Sequence, residues 1–256
     1  MTAIASKGTA LVTGAAHRIG RAIALALADD GWTIAVHHRS SAADAAEVVR
    51  EIEATGGRAA AFAADLALMA ETRGLVAAAT ATLGPLTLLV NNASLFEKDE
   101  VATMTPESWT AHMDANLRAP AFLAQAFAAQ LPAGADGNIV NMIDQRVWAP
   151  TPKFLSYTIS KMALWDMTQV LARALAPRIR VNGIGPGPAM INARQSEADF
   201  LRQCRSTILE RGTTAEEICA AIRFILSAPA MTGQMIALDG GQHLAWETPD
   251  VAGVPE

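Results

Sequence analysis

The chain has 256 residues, enough for one large α/β domain or two small ones, and either would bury a full hydrophobic core. Hydrophobic residues make up 51% of the chain and charged residues 18%, and this balance excludes a disordered or low-complexity polypeptide. A formal net charge of -5 gives no indication of binding to nucleic acid or an anionic membrane through bulk charge, so we expect neither partner.

Short apolar segments bounded by turn residues predict seven strands, at residues 10–12, 32–36, 59–63, 86–90, 138–142, 179–181 and 235–238. Ala-rich segments with helical spacing lie between most of them, at residues 21–30, 42–55, 70–83, 107–131 and 156–176. Alternating strands and helices favour parallel pairing through right-handed crossovers, with helices on both faces of one sheet. No long linker, repeat or charge block interrupts the series, so we expect a single α/β domain over residues 1–256.

The first predicted strand ends in a turn that contains two glycines, Thr13-Gly-Ala-Ala-His-Arg-Ile-Gly20, and a helix follows directly. Such a turn lets backbone N–H groups approach a pyrophosphate, and the helix N-terminus adds a favourable field. Its place at the first strand-to-helix junction therefore predicts nucleotide binding. Arg18 occupies the position where such loops usually carry their middle glycine. Its guanidinium would contact cofactor phosphates or an anionic substrate edge, or would simply be exposed.

The second predicted strand ends in Val36-His-His-Arg-Ser40, without the acidic residue that an NAD enzyme usually places there for the adenosine ribose. Arg39 and the hydroxyl of Ser40 instead suit a 2′-phosphate, which predicts NADPH. His37 and His38 fit a binding role and a structural role equally well.

The third and fourth predicted strands each end in polar residues. Asp65, followed by Leu66, would accept a hydrogen bond from the adenine amino group or form an ordinary turn. Asn91-Asn-Ala-Ser94 lies at the carboxyl end of a central strand, where ligands of open α/β sheets bind.

Tyr157 and Lys161 begin a long predicted helix and lie about one turn apart on one face, with Asp144 thirteen residues before the tyrosine. A nearby ammonium would lower the pKa of the phenol, which makes Tyr157 a candidate proton donor to a carbonyl or imine reduced by hydride. Tyr157 is the only tyrosine of the chain. The alternative is a buried tyrosine beside a lysine that reaches to solvent.

Together these motifs resemble the short-chain dehydrogenase/reductase family over residues 8–243. The shared features are TGxxxxxG, NNA, Asn116, YxxxK and the turn Pro186-Gly187, and their order and spacing are highly specific. The resemblance implies a doubly wound Rossmann domain whose seven-stranded parallel sheet has the order 3-2-1-4-5-6-7. The cofactor would lie across the switch between strands one and four.

The resemblance also implies that Tyr157 donates the proton, Lys161 lowers its pKa and holds the nicotinamide ribose, and Asn116 supports a relay water. The expected catalytic residues are Asn116, Asp144, Tyr157 and Lys161. The expected cofactor contacts are Gly14, Arg18, Ile19, Gly20, His38, Arg39, Ser40, Asp65, Leu66, Asn92, Ala93, Ser94, Tyr157, Lys161, Pro186 and Gly187.

Two departures from the family pattern point to a subfamily: Asp144 replaces the usual catalytic serine, and Arg18 replaces the middle glycine. Both are similar to pteridine reductases and bacterial dihydromonapterin reductases, as are residues 38–40, 91–96 and 238–244. The resemblance implies that Arg18 contacts cofactor phosphate and pterin, that Phe96 stacks the pterin against the nicotinamide, and that Asp144 works with Tyr157. Asp144 would donate a proton or, when ionised, orient Tyr157 or a water. The alternative is a strand-end cap in an enzyme that has lost the catalytic serine.

The expected substrate contacts are Arg18, Phe96, Asp144, Tyr157 and Pro188, beneath a lid around residues 188–212. Within the lid, Pro188, Met190 and Ile191 would form an apolar wall, with Arg194 near a polar tail. Trp148 would border the pocket or pack against the lid, and we expect core or subunit contacts for Cys204, Met231 and Trp165. The two long helices resemble those that build the family's homotetramers. The tail after Trp246 would fray or reach a neighbouring subunit.

The two cysteines, Cys204 and Cys219, form neither a CxxC pair nor a zinc cluster, so we expect a reduced cytoplasmic protein without disulfides or a metal. Apolar stretches end before about 18 residues, so we expect no transmembrane helix. The first residues show no signal-peptide pattern.

Three functions remain open at this stage. The first is an NADPH-dependent reductase of a dihydropterin or dihydrofolate C=N bond. The second is a carbonyl or 3-oxoacyl reductase, which a serine at position 144 and a smaller residue at position 18 would have favoured. The third is a nucleotide-binding scaffold without turnover, against which intact Asn116, Tyr157 and Lys161 count.

Overall fold

The computed structural model describes residues 7–191 and 194–246, and within them seven parallel strands form one sheet. The strands are β1 (Thr9–Val12), β2 (Thr33–His38), β3 (Ala59–Ala63), β4 (Leu86–Asn91), β5 (Gly137–Met142), β6 (Ile179–Pro186) and β7 (Met235–Leu238). They pair in the order β3-β2-β1-β4-β5-β6-β7, so the predicted topology is confirmed. The order reverses between β1 and β4, and ligands of such sheets bind at the carboxyl ends of the strands beside this point.

Eight α-helices lie in the described residues: α1 (Arg18–Asp29), α2 (Ala42–Ala54), α3 (Met69–Leu83), α4 (Pro106–Met113), α5 (Ala119–Gln130), α6 (Leu155–Leu175), α7 (Glu197–Arg205) and α8 (Ala215–Ser227). Helices α1, α2 and α8 pack on one face of the sheet, and α3, α5 and α6 pack on the other. This confirms the expectation of helices on both faces.

Each face of the sheet carries its own hydrophobic core. In β1, Ala10 and Val12 belong to the core on one face and Leu11 to the core on the other, as the alternation of a strand requires. All three are fully buried, because a parallel sheet covered on both sides leaves its central strands no exposed face. Burial of each large apolar side chain contributes about 1.5–3 kcal/mol relative to exposure, and this holds the carboxyl strand ends in fixed positions.

The predicted helix 107–131 is wrong as a single element. It consists of α4 and α5 separated by a π-helical turn, Asp114–Arg118. Pro120 lacks the N–H that would bond to the carbonyl of Asn116 four residues earlier, so a regular α-helix cannot run through this point. The turn reads Asp-Ala-Asn-Leu-Arg, a composition that an exposed turn of a regular α-helix could also have, so hydropathy does not reveal the break.

The predicted strand 179–181 is too short, since β6 extends to Pro186. Gly183 and Gly185 weaken the strand pattern in the sequence, yet both lie in close packing. A Cβ atom at Gly183 would lie 2.3 Å from Cδ1 of Ile143, and one at Gly185 would lie 2.9 Å from the Met235 sulfur. The glycines therefore allow close packing instead of ending the strand.

In the described residues, no helix has both the length and the apolar character needed to cross a lipid bilayer. Part of the expected lid, residues 192–193, and the tail after Trp246 lie outside the described residues.

Candidate active site

Two glycines shape the junction between β1 and α1: Gly14 lies in the loop, and Gly20 lies in the first turn of α1. Gly14 has a φ of 64°, in the left-handed region that favours glycine. At Gly20 a Cβ atom would lie 2.2 Å from the carbonyl oxygen of Gly14 and 2.5 Å from Nδ2 of Asn92, so a larger side chain is excluded there. A tight turn into a helix N-terminus is a geometry that allows backbone N–H groups to approach a diphosphate.

The side chain of His37 holds this loop in place through hydrogen bonds. The backbone N–H of Gly14 donates to His37 Nδ1 at 3.0 Å, so the ring proton lies on Nε2, which donates to the carbonyl of Ala64 at 3.0 Å. Burial lowers the pKa of His37 from its usual 6.5 to about 4. His37 is therefore neutral and structural, which decides between the two roles left open for it.

The carboxyl end of β2 offers the groups expected for a 2′-phosphate. Arg39 and Ser40 are both exposed there. His38 is buried, and its Nδ1 has no hydrogen-bond partner among residues 7–191 and 194–246. A buried ring nitrogen without a partner, next to an exposed guanidinium and hydroxyl, is a polar set suited to a ligand.

Asp65 and Leu66 form a turn after β3. Oδ1 of Asp65 accepts from the backbone N–H of Ala67 at 2.9 Å, and its own N–H donates to Glu71. Leu66 is buried, and its carbonyl accepts from the Thr72 hydroxyl at 3.0 Å. The turn is well defined, and the adenine contact stays a prediction.

The loop after β4 is bonded to the glycine loop through Thr13. The Thr13 hydroxyl accepts from the backbone N–H groups of Asn92 and Ala93, both at 2.9 Å. The Asn92 side chain donates to the carbonyl of Thr13 at 2.8 Å. These bonds join the two strands at which the sheet order reverses. Ser94 follows, and its hydroxyl donates to Oδ1 of Asn116 at 3.2 Å.

Asn116 lies in the π-helical turn and is completely buried. Its amide oxygen also accepts from the Leu95 N–H at 2.8 Å, while its nitrogen donates to the Leu95 carbonyl at 2.9 Å and to Ser160 at 3.0 Å. These four bonds use the hydrogen-bonding capacity of the amide. The side chain of Asn116 thus positions the loop after β4 against α6, and the relay water stays a prediction.

Tyr157, Lys161 and Asp144 meet at the carboxyl end of β5. The Tyr157 hydroxyl donates to Oδ2 of Asp144 at 2.7 Å, and Oδ1 of Asp144 accepts from the backbone N–H of Arg146 at 2.9 Å. Lys161 Nζ donates to the Met142 carbonyl at 2.7 Å and lies 5.8 Å from the centroid of the Tyr157 ring. The structure therefore brings three of the four predicted catalytic side chains together around one phenol.

The pKa of the Tyr157 phenol is raised well above its usual value, first by burial and then by the negative charge of Asp144, which also accepts its hydrogen bond. The nearby cation that opposes this shift in pKa is Arg146. The expected acidification of the phenol by Lys161 is wrong for this structure. Burial also lowers the pKa of Lys161 to about 8, against the opposing effect of Asp144. The phenol is thus held in its protonated form.

A cavity of about 580 Å³ opens over this cluster. Eleven of the predicted site residues line it: Arg18, Ile19, Asn92, Ser94, Phe96, Asp144, Tyr157, Lys161, Pro186, Gly187 and Pro188. The remaining predicted residues lie outside this lining, in the strand ends and turns described above: Gly14, Gly20, His38, Arg39, Ser40, Asp65, Leu66, Ala93 and Asn116. The cavity is closed behind Gly187, where a Cβ atom would lie 2.7 Å from Cα of Asp239.

Two arginines contact the segments above the cavity. Arg18 donates to the carbonyl of Met190 at 3.1 Å and also to that of Ile191, so its guanidinium reaches the segment after β6. Arg194 binds Glu97 and the carbonyl of Phe96. The expected contacts of Arg18 with phosphate and substrate stay predictions.

Phe96 forms the aromatic wall of the cavity together with Phe154, which the sequence analysis missed. Their ring centroids are 4.4 Å apart and the rings are nearly parallel, at 13°. Phe154 lies just before α6 with a φ of 57°, three residues ahead of Tyr157, whose ring meets Phe96 edge-on. The position of Phe154, three residues before the predicted proton donor, is the sequence feature that could have indicated its place in the site.

A buried polar network holds the Phe96 loop to the start of α6. The Ser156 hydroxyl donates to Asp99 and lies 2.7 Å from Nδ1 of His112. Nε2 of His112 accepts from the backbone N–H of Glu97 at 3.1 Å, and its ring lies edge-on to Tyr157. Ser156, Asp99 and His112 are all buried. The network therefore fixes the position of the Phe96 loop relative to the start of α6.

Trp148 does not line the cavity. It packs edge-on against Trp165 and His243, with the His243 centroid at 5.0 Å. Cys204 is buried with its thiol unpaired, while Trp165 and Met231 pack against buried clusters, in line with the expected core contacts.

The chain belongs to the short-chain dehydrogenase family, whose sequence pattern, described as "short chain dehydrogenase", matches residues 8–200. This confirms the predicted family and its oxidoreductase class. An uncharacterized oxidoreductase of Methylorubrum extorquens is 37% identical over 91% of this chain and 96% of its own length. A 3-oxoacyl-[acyl-carrier-protein] reductase of Staphylococcus aureus is 31% identical over 92% of this chain and 98% of its own.

Solved structures similar to this chain contain a nicotinamide cofactor. The alternative dihydrofolate reductase FolM of Brucella suis, in complex with NADP, is 46% identical over 97% of this chain and 100% of its own, with a TM-score of 0.94. A blue fluorescent protein from a metagenomic library, in complex with NADPH, is 34% identical over 92% of this chain and 98% of its own, with a TM-score of 0.85.

Proposed function

We propose that this protein is an NADPH-dependent reductase that transfers hydride to a C=N bond of a dihydropterin or dihydrofolate. The observation that carries the proposal is the hydrogen bond from Tyr157 to Asp144 on the floor of a cavity walled by Phe96 and Phe154. A protonated phenol beside a carboxylate suits protonation of a ring nitrogen, and an aromatic wall suits a flat heterocycle. The similarity to a dihydrofolate reductase of the same family supports this substrate class.

The residues at the strand ends fit NADPH. The glycine loop would hold the diphosphate, and Arg39 with Ser40 would hold the 2′-phosphate, since both are exposed at the end of β2. His38 has the unpartnered ring nitrogen described above. Lys161, Pro186 and Gly187 lie on the nicotinamide side of the cavity in this proposal. NADP and NADPH in the similar structures support the assignment.

The hydride that adds to the carbon of the C=N bond would come from NADPH held by these residues. Tyr157 delivers its hydroxyl proton to the nitrogen of that bond, so the product is an amine. Asp144 accepts the hydrogen bond of the phenol and thereby orients the donor, and a proton from solvent restores the phenol after transfer. Lys161 is fixed by the Met142 carbonyl and, in this proposal, holds the nicotinamide ribose.

The segment around residues 188–212 serves as a lid in this proposal. Pro188 and Met190 line the cavity, and Arg18 reaches across to the backbone of the same segment. In this proposal the segment would limit the access of water to the reacting bond, which strengthens electrostatic interactions there.

A second candidate is reduction of a carbonyl, in particular of a 3-oxoacyl thioester. It is favoured by the similarity to 3-oxoacyl-[acyl-carrier-protein] reductases and by the Tyr157–Lys161 pair, which also serves carbonyl reduction. Asp144 in place of a serine hydroxyl weighs against it, because Asp144 accepts a hydrogen bond from Tyr157 here and does not act as a second donor to a carbonyl oxygen.

A turnover screen with NADPH separates these functions. Dihydrobiopterin, dihydromonapterin, dihydrofolate, a 3-oxoacyl thioester and simple ketones are compared with the wild-type protein and Tyr157→Phe. Fast oxidation of NADPH with a dihydropterin or dihydrofolate, lost in Tyr157→Phe, supports the proposal. Turnover restricted to the oxoacyl thioester or ketones supports the second candidate, and NADPH binding without any turnover identifies a scaffold.

We also propose a homotetramer as the assembled form. Trp109 on α4 and the side chains of Ile159 and Val170 on α6 are exposed apolar groups on the helices expected to pair. Light scattering coupled to size exclusion tests the mass. The cytoplasmic location expected from the sequence stays a prediction.

A further inference from the structure

Arg146 lies in the short 3-10 turn that follows β5, two residues after Asp144. Its backbone N–H is held by Asp144 at 2.9 Å, so the same carboxylate fixes both this turn and Tyr157. The side chain is partly buried and lines the cavity. The Arg146 side chain therefore lies near Asp144 and Tyr157 but has no role in the proposed proton transfer.

The guanidinium of Arg146 lies beside the aromatic wall. Its central carbon is 5.0 Å from the centroid of Phe154 and 5.5 Å from that of Phe96, while the two centroids are 4.4 Å apart. Two similar distances from neighbouring rings place the group alongside the stacked pair and not beyond either ring. A flat ligand packed on this wall would present one of its edges to the guanidinium.

One terminal nitrogen of the Arg146 guanidinium lacks a hydrogen-bond acceptor. Nη1 of Arg146 is buried and has no hydrogen-bond partner among the residues that the structure describes. A buried donor on a charged group costs free energy unless an acceptor meets it. The two aromatic rings beside it offer no lone pair that could accept a hydrogen bond from the guanidinium.

The other arginines of the cavity are already engaged by acceptors. Arg18 donates to two carbonyls of the segment after β6, and Arg194 pairs with Glu97 and the carbonyl of Phe96. Lys98 forms an ion pair with Glu100. Arg146 is thus the cavity arginine best placed to receive an acceptor from a ligand.

We propose that Arg146 is a specificity-determining residue that donates hydrogen bonds to a ring carbonyl oxygen of the substrate. It would select heterocycles with an oxo group at that edge against analogues that carry an amino group there. This inference rests on the proposed function and assigns the recognition of one edge of the pteridine ring. A planar cation matches an oxo acceptor and repels the N–H donors of an amino group.

The test compares two ligands that differ at that edge, 2-amino-4-oxopteridine and 2,4-diaminopteridine. Their dissociation constants are measured in the NADP-loaded protein by quenching of tryptophan fluorescence. The proteins are the wild type, Arg146→Met, Arg146→Lys and, as a matched control on the exposed surface of α6, Arg173→Met. We expect Arg146→Met to weaken binding of the oxo ligand by about tenfold or more and that of the diamino ligand by less than about twofold. Arg146→Lys retains part of the preference, and the control changes neither constant.

Equal weakening of both ligands in Arg146→Met, or no weakening of either, overturns the inference while leaving the proposed function in place. If neither pteridine binds the wild-type protein, the proposed function fails and the inference falls with it. Thermal unfolding of each variant checks the fold. If Arg146→Met does not fold, Arg146→Lys is the test. Weaker binding of the oxo ligand without weaker binding of the diamino ligand supports the inference, and the absence of this difference overturns it.

Discussion

The phenol of Tyr157 donates a hydrogen bond of 2.7 Å to Asp144, a carboxylate where this family usually has a serine. A carboxylate stabilises the neutral phenol, because its negative charge opposes that of a tyrosinate. The contact with Asp144 therefore stabilises the protonated form of Tyr157 and raises the pKa of the phenol. This arrangement suits a basic acceptor such as a ring nitrogen, which takes up a proton more readily than a carbonyl oxygen does.

Replacing Asp144 with Asn should lower the pKa of Tyr157 relative to wild type, because the change removes a negative charge that opposes ionisation while burial remains. Tyr157 is the only tyrosine, so the ultraviolet absorbance of tyrosinate during a pH titration reports this phenol alone. An unchanged or higher titration midpoint in Asp144→Asn would contradict the assigned role of the carboxylate. Asp166→Asn, an exposed change later on the same helix as Tyr157, is the control.

His37 should make the folded protein sensitive to acid. Its pKa is about 4 in the folded state, against 6.5 for an ordinary histidine, so the unfolded chain binds the proton first as the pH falls. The free energy of unfolding is therefore unaffected by this group above pH 6.5 and decreases between pH 6.5 and 4, by roughly 3 kcal/mol in total. Urea unfolding at a series of pH values measures the decrease.

His37→Gln should remove most of this decrease, since glutamine keeps a donor and an acceptor but does not titrate. His17→Gln is the matched control, because the His17 side chain is half exposed. A slope that is the same in His37→Gln and wild type would show that other groups cause the acid sensitivity.

Arg39→Ala should raise the KM for NADPH by roughly tenfold or more and leave the KM for NADH nearly unchanged, because a charge-assisted contact to a 2′-phosphate is lost. Arg50→Ala, an exposed change on α2, controls for general surface charge. Steady-state kinetics with both cofactors measures the two constants. Equal effects on them would refute a 2′-phosphate contact.

Gly20→Ala should weaken both the fold and cofactor binding. The added methyl group meets the carbonyl of Gly14 at 2.2 Å, and overpacking of this kind costs about 1–3 kcal/mol. At Gly74 on α3 an added Cβ atom has no neighbour within 4 Å, so Gly74→Ala should stabilise the helix by about 0.5–1 kcal/mol. Urea unfolding and NADPH titration compare the two variants, and a similar loss in both would contradict the packing argument.

The fold was predictable because its main signal is periodic. Strand segments such as Leu86–Asn91 are mostly apolar, with only Thr87 and the final Asn91 polar, and the apolar residues of the helices between them repeat every three to four residues. The breaks in this rule were not predictable from hydropathy. The composition of the π-helical turn before Pro120 also fits a regular α-helix, and Gly183 and Gly185 continue β6 because neighbouring side chains need the space.

The candidate site was predictable where a residue type at a fixed spacing has one dominant use, as with Tyr157 and Lys161. It was not predictable where tertiary contacts decide the role. The sequence does not show that His37 joins Gly14 to Ala64, or that Phe154 pairs with Phe96 across more than fifty residues of chain. The sequence also does not show that the pKa of Tyr157 is raised, because the direction of this shift depends on the burial of the phenol and on its position relative to Asp144.

The buried contacts among Asp99, Ser156 and His112 have a mechanical consequence. They tie the loop that carries Phe96 to the helix that carries Tyr157, so the ring-binding wall and the acid group shift as a unit. Rotation or sliding of α6 would carry both along and preserve their mutual alignment. Substrate preference in this scaffold should therefore change by exchange of individual side chains that line the cavity, and not by movement of α6 relative to the Phe96 loop.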